Sequence, residues 1–412
     1  MLSKKATYIV GRAGSGKSEL IKSIWKTIDK GSVILDPHGD LADEIALFDN
    51  VAMIAPHRKR FVINPFDIED KSEDNRALVA QEITDILVEM IRDIGISSLM
   101  ETISYPIIYT LLKLPYADFK MFCDCIDPDG GKTRLASISH LVEPIHASIW
   151  YKLEKTDTYD TSKQSIFNRL QGFLNKKKIL ETVCGRDDFE RLFDTKTGVK
   201  NGSIVVSVPI PELGEDVAIT LGRFFMARML IWAKRRKNIL PQQRTPVYFF
   251  IDEFQNFMTE TTAKTLDQFG RKFGLLMTLA HQHIQQLNSD IKGSVMANTP
   301  NKIAGLSNTE TRVKLANEMR IQPEELEGLK TGFFMVSLDG QKAQVMNARM
   351  VRGTKTKIDY IETQNGLEIL DGWDGNDIEK EVESSRSDQA KQADQEKTIK
   401  PRKQGYKPKF EI

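Results

Sequence analysis

The sequence predicts an α/β fold that carries an all-α insertion and ends in a disordered tail, and three observations point there. A Gly-rich octapeptide, Gly11-Arg12-Ala13-Gly14-Ser15-Gly16-Lys17-Ser18, lies between the apolar run Thr7-Tyr8-Ile9-Val10 and the helix-spaced set Leu20, Ile21, Ile24 and Trp25. Far downstream, the wholly apolar run Val247-Tyr248-Phe249-Phe250-Ile251 ends in Asp252-Glu253. Between about residues 72 and 195 the pattern turns helical, with Val79, Ile83, Ile86, Leu87, Met90 and Ile91 on one stripe.

The octapeptide fits G-x-x-x-x-G-K-[ST] at every fixed position. A glycine-rich loop between a strand and a helix N-terminus aims backbone N–H groups at phosphates. Residues 11–18 are therefore the expected cradle for a nucleotide, with Lys17 reaching the β- and γ-phosphates and Ser18 holding Mg²⁺. An apolar strand tipped by two acids supplies the other half of such a centre. The first acid, Asp252, orients the metal and its waters; the second, Glu253, polarises the attacking water. Each signal has a bland counterpart, a ligand-free βα turn or a strand ending in a capping Asp. Their joint occurrence favours ATP and Mg²⁺.

The bulk properties exclude several classes. The 412 residues allow two or three domains, with 40% hydrophobic and 28% charged residues as in an ordinary soluble protein. No apolar run approaches the ~20 residues of a membrane span, and no signal peptide is expected ahead of the P-loop strand. Cys123, Cys125 and Cys184 form neither a metal quartet nor a disulfide framework, and fit reduced thiols in a cytoplasm. The net charge of +1 places any nucleic-acid contact in local clusters.

After the first helix, residues 33–35 form a second strand running into Asp36-Pro37-His38-Gly39-Asp40. Acids at such a tip serve a ligand if the strand neighbours the P-loop strand, and otherwise cap the helix over residues 41–45. A third strand is expected over 51–55, followed by the basic Arg58-Lys59-Arg60. Helices are expected around Ile107–Leu112 and around Ile166–Leu174, the latter running into Lys176-Lys177-Lys178, with no strand in this region. Strand character returns at 204–208, and a helix follows over 215–237, ending in Lys234-Arg235-Arg236-Lys237, where cations complement the helix dipole. Residues 275–280 form the strand beyond Asp252-Glu253 and lead into His281-Gln282-His283. Gln282 is placed to sense the γ-phosphate, while His281 and His283 are read as polar neighbours. Further strands are expected at 301–306, 332–338 and 344–350, with a helix over 309–319. From about 384 the composition collapses to polar residues, giving a disordered, basic tail. The expected division is 1–71 with 196–383, 72–195, and 384–412.

With these pieces placed, the chain resembles the FtsK–HerA superfamily of ring-forming P-loop ATPases, and within it the TraG-like coupling proteins of type IV secretion and conjugation. The resemblance rests on GRAGSGKS, VILDPHGDLA, FVINPFDI, YFFIDEFQNF, GRKFGLLMTLAHQHIQQL and the helical insertion, over roughly residues 6 to 350. It implies a RecA-like core, a homo-hexameric ring with DNA in its channel, and the all-α insertion at one mouth. It also implies that Gln282 is the sensor glutamine and that Arg271 is an arginine acting in the neighbouring subunit's site, with Lys272 and Arg312 in reserve. A surface ion pair is an equal reading of Arg271. Coupling proteins commonly begin with membrane helices, and HerA-type proteins with a β-barrel. Neither precedes this P-loop strand, so a cytoplasmic protein recruited to the inner face of the membrane by a partner or by the basic tail is expected.

The resulting expectation is an ATP-driven DNA translocase or coupling ATPase for conjugative or mobile-element transfer, working with relaxase or secretion-channel proteins. Arg58, Lys59, Arg60 and Lys176–Lys178 are its candidate phosphate contacts. The competing readings are a viral packaging or protein-handling motor, a nucleotide-gated docking receptor, and a small-molecule P-loop kinase. The long interval between Gly11 and Asp252 and the acidic pair speak against the kinase.

Overall fold

A computed structural model describes residues 5–28, 31–91, 97–200, 202–258, 262–263, 269–270 and 272–363. Its centre is a sheet of nine strands: β1 (Thr7–Val10), β2 (Ser32–Asp36), β3 (Val51–Ile54), β6 (Ser203–Ser207), β7 (Val247–Ile251), β8 (Leu275–His281), β9 (Asn301–Ala304), β10 (Phe333–Ser337) and β11 (Gln344–Asn347). The spatial order is β11-β10-β9-β1-β8-β7-β2-β6-β3. The seven strands from β9 to β3 run parallel, whereas β10 is antiparallel to both its neighbours, β9 and β11. Two further short strands, β4 (Phe193–Asp194) and β5 (Gly198–Val199), make a separate hairpin. That hairpin begins inside the stretch expected to lack strands, where two residues are too few to leave a period-2 pattern.

The parallel strands are apolar on both sides because both faces are covered. Tyr8, Val10, Val33, Leu35, Phe249 and Ile251 belong to one buried cluster, and Ile9, Ile34, Val205, Phe250 and Ala280 to the other. The second face is covered by helices Lys17–Lys26 and Asp40–Ala46, which contribute Leu20, Ile21, Leu41 and Ile45. The first face is covered by helix Glu215–Arg235, whose Leu221, Phe224, Phe225 and Trp232 are all buried.

Between β3 and β6 the chain forms helices Glu73–Ile91, Ser97–Leu111, Phe119–Ile126, Gly131–Ser137, Ala147–Lys155, Asp160–Leu174 and Lys177–Val183. Their buried side chains join the same apolar cluster as helix Glu215–Arg235. The Phe-Val-Ile-Asn-Pro-Phe segment proves to be a clasp where the chain enters and leaves these helices. Buried Asn64 donates its side-chain amide to the carbonyls of Ala117 (2.8 Å) and Gly185 (2.9 Å). Its backbone N–H donates to Asp187, which also pairs with the buried Arg228 at 2.7 Å.

The basic cluster ending helix Glu215–Arg235 does more than complement a dipole. Arg236 is fully buried and donates to the carbonyls of Thr195 (2.8 Å), Phe273 (2.9 Å) and Thr245 (2.6 Å), while Lys234 pairs with Glu82. Arg58 forms a two-pronged pair with Asp43 at 2.5 and 2.9 Å, Lys59 pairs with Glu362 at 3.1 Å, and Arg60 donates to the Glu181 carbonyl. That triplet, a candidate phosphate contact by sequence, is thus engaged within the fold. After β11 the chain passes along the second face to the far edge, where the Met53 N–H donates to Asp359 (2.8 Å) and the Ile361 N–H to Met53 (2.8 Å). The basic tail from 384 lies outside the described residues.

Candidate nucleotide site

In a parallel sheet the strand C-termini share one edge, and ligands gather there. The register pairs Val10 with His281 and Ile251 with Leu279, so β1, β8 and β7 deliver the P-loop, Gln282 and Asp252-Glu253 side by side. The P-loop departs from β1 with the Gly11 N–H donating to the His281 carbonyl (3.2 Å) and the Arg12 N–H to Leu306 (2.7 Å). Gly14 and Gly16 have φ of +74° and +90°, backbone that glycine adopts without strain. A Cβ on Gly16 would lie 3.1 Å from the Gly332 Cα, because the Gly332 N–H is tied to the Ser15 carbonyl at 2.9 Å. The loop then opens helix Lys17–Lys26, whose first N–H groups have no intrahelical partner.

Lys17 is buried and points into the acidic pair, 2.6 Å from Glu253 Oε1 and 3.4 Å from Asp252 Oδ1. Gln282 Nε2 donates to Glu253 Oε1 at 3.2 Å, and Gln255 Nε2 donates to Oε2 at 3.0 Å. Glu253 itself has φ of +44°, a conformation uncommon for a residue with a side chain and concentrated at functional sites. Burial pushes the Glu253 carboxyl up, but Lys17 and the two glutamines outweigh it and hold the acid below its usual range. Asp252 is raised instead, chiefly by burial and also by Glu253, with Lys17 opposing. The arrangement keeps an ionised glutamate beside a more readily protonated aspartate.

The donor set fits a magnesium nucleotide. Gly11 to Gly16 form a cradle that a Cβ at Gly11 would fill, meeting Ser15 Oγ at 2.5 Å. Ser18 presents an exposed hydroxyl on the first turn, and Asp252 a carboxylate at the end of β7. A hydroxyl and a carboxylate are the hard oxygen donors that Mg²⁺ accepts alongside phosphate and water.

Other sequence candidates fall differently. Asp36 caps its own turn, accepting from the N–H groups of His38 and Ala42, both at 2.9 Å; its strand β2 adjoins β7, and β7 and β8 stand between it and β1. Arg271 lies outside the described residues. Lys272 is exposed, and Arg312 donates to Thr309 (3.1 Å) and faces Glu327 at 3.6 Å. Sequence reasoning missed Gln255 and the buried role of His281; spacing of two from Glu253 is the only signal that marks Gln255. Among the described residues no helix is long and apolar enough to cross a membrane.

Residues 134–319 match the family described as type IV secretory system conjugative DNA transfer, a stretch that includes Asp252, Glu253, Gln255 and Gln282. Among solved structures, the chain is similar to the plasmid coupling protein TrwB in complex with ADP and Mg²⁺, with a TM-score of 0.62 and 13% identity over 87% of this chain and 89% of that one. TrwB in complex with a non-hydrolysable ATP analogue matches with a TM-score of 0.59 and 13% identity, over 87% and 89% of the two chains. VirB4 of Thermoanaerobacter pseudethanolicus matches with a TM-score of 0.53 and 13% identity, over 84% and 90%. At such identities the likeness establishes the RecA-like fold. No curated protein matches the chain in sequence.

Proposed function

We propose, from the premise that this chain belongs to the TraG-type coupling proteins of the FtsK–HerA P-loop superfamily, that it hydrolyses ATP to drive DNA transfer in conjugation. The observation that carries the chemistry is the convergence of Lys17, Asp252, Glu253 and Gln282 at the tips of three adjacent strands. DNA as the cargo follows from the family and not from a feature of the site.

Residues 11–18 hold the triphosphate, and Lys17 offers its charge to the β- and γ-phosphates. Ser18 and Asp252 would hold Mg²⁺, which when bound neutralises charge on the phosphates. Glu253, kept ionised, accepts a proton from the attacking water, and Gln282 orients it from the adjacent strand. Lys17 and Glu253 are within hydrogen-bond reach of each other, so a nucleotide drawing Lys17 toward phosphate frees Glu253 Oε1 for water. Ring assembly supplies the remaining cation. Arg271 of an adjoining copy is assigned that role from the sequence, and homo-hexamers around DNA are the assembly the reading requires.

The test is magnesium-dependent phosphate release from ATP, with Lys17→Ala protein as the blank. Mixing Lys17→Ala with Arg271→Ala should recover part of the parental rate, because mixed rings contain some intact shared sites. A parent no faster than the blank contradicts hydrolysis, and no recovery at any ratio contradicts a site shared between copies.

A further inference from the structure

Three side chains beneath the nucleotide site have no part in the chemistry above, yet each comes from a different strand or strand tip of the centre. Tyr8 lies on β1 two residues before its end, His281 closes β8, and Phe254 follows Glu253. All three are fully buried. Tyr8 pairs in register with Leu279, so its hydroxyl reaches His281 as a diagonal neighbour on the same sheet face, where it hydrogen-bonds the ring Nε2. The Phe254 ring packs against both, with centroids 5.0 Å from His281 and 6.2 Å from Tyr8.

His281 is bound into the site through its backbone as well. Its carbonyl accepts from Gly11, the first residue of the P-loop, and its successor Gln282 donates to Glu253 Oε1. Burial holds the imidazole down to about 3, so the ring is neutral. A neutral imidazole has one N–H and one bare nitrogen. With Nε2 bonded to Tyr8, Nδ1 has no partner among the described residues. A buried polar atom left so is destabilising, and an apolar side chain here would avoid that penalty.

We infer that the buried Tyr8–His281 hydrogen bond is a positioning device for hydrolysis: it fixes the end of β8 so that the P-loop and the Gln282 amide keep their register against Glu253. The inference rests on the hydrolytic reading of the site. Tyr8 and His281 act through Gln282 and Gly11 and touch no substrate.

Tyr8→Phe removes one hydroxyl and keeps the ring, so it isolates the hydrogen bond. Expected is a roughly tenfold fall in kcat, with KM for ATP and fluorescent-nucleotide affinity within about twofold of the parent. In a double-mutant cycle, Tyr8→Phe should add little to the loss already caused by Gln282→Ala, since both disturb one unit. A purely packing role moves melting temperature and leaves the two losses independent. His281→Gln, which keeps a polar group near the Nε2 position, should retain more activity than His281→Leu, and this comparison stands if Tyr8→Phe folds poorly. A parental kcat in Tyr8→Phe, multiplying losses with Gln282→Ala, or equal rates for the two His281 variants each overturn the inference while parental turnover stands. A parent without turnover overturns the hydrolytic reading and the inference with it.

Discussion

Lys17 Nζ stands 2.6 Å from Glu253 Oε1, joining the loop after β1 to the tip of β7 across the intervening β8. One cation therefore holds the carboxylate proposed as the base. Glu253→Gln keeps the shape and, with its single accepting oxygen, one of the two hydrogen bonds from Gln255 and Gln282, but removes the charge. The expected result is a loss of about 10²–10⁴ in turnover, the range for a general base, with nucleotide affinity within a few fold. Phosphate release at saturating ATP, beside a fluorescent-nucleotide titration, checks both halves. Turnover within tenfold of the parent contradicts the assignment.

The contact between Gly16 and Gly332 gives a second expectation. Alanine at 16 meets backbone at 3.1 Å in a left-handed conformation, whereas alanine at 14 meets open space. Both substitutions strain the loop, by about 1–2 kcal/mol, but only Gly16→Ala must also displace Gly332. Nucleotide affinity should fall by about tenfold for Gly14→Ala and clearly further for Gly16→Ala. Equal affinities contradict the contact.

Asp36 links the fold to pH. Burial pushes its carboxyl up to about 6, opposed by the N–H groups of His38 and Ala42 and reinforced by the nearby Asp252. The folded state therefore binds this proton more tightly than the unfolded chain. Its contribution is fully present below about pH 4 and is lost as pH rises through 6, a change of about 3 kcal/mol at 1.36 kcal/mol per unit. Asp36→Asn should flatten that part of the stability profile in urea unfolding between pH 4 and 7. An unchanged slope contradicts the shift.

Arg236 illustrates a charge that sequence pattern misplaces. Replacing it with Met strands the carbonyls of Thr195, Phe273 and Thr245, so a loss of about 3–5 kcal/mol is expected by analogy with breaking a buried charged pair. Urea midpoints measure it. Stability within about 1 kcal/mol of the parent contradicts the staple.

The strands and the P-loop were legible because both follow local rules. An apolar run buried on both faces, a glycine-spaced phosphate loop and an acid-tipped strand each declare themselves within ten residues. Strand order is not local. Nothing in residues 32–36 says that β2 lies against β7, with β7 and β8 between it and β1, and that order alone sets the capping Asp36 next to Asp252. The Tyr8–His281 pair was hidden for the same reason, since a Tyr in an apolar strand looks like core until its hydroxyl finds a partner more than two hundred residues away. Lys234 and Arg236 read only as cations complementing the helix dipole, because a buried arginine and an exposed one have the same spelling.

The most direct measurement is ATP turnover with and without DNA at two salt concentrations. A coupling ATPase that grips the phosphate backbone should hydrolyse ATP several-fold faster with DNA of any sequence. The DNA concentration for half-stimulation should then rise by about a hundredfold or more between 50 and 200 mM salt, as counterions compete for the contacts. Turnover that ignores DNA at both salt concentrations contradicts the account.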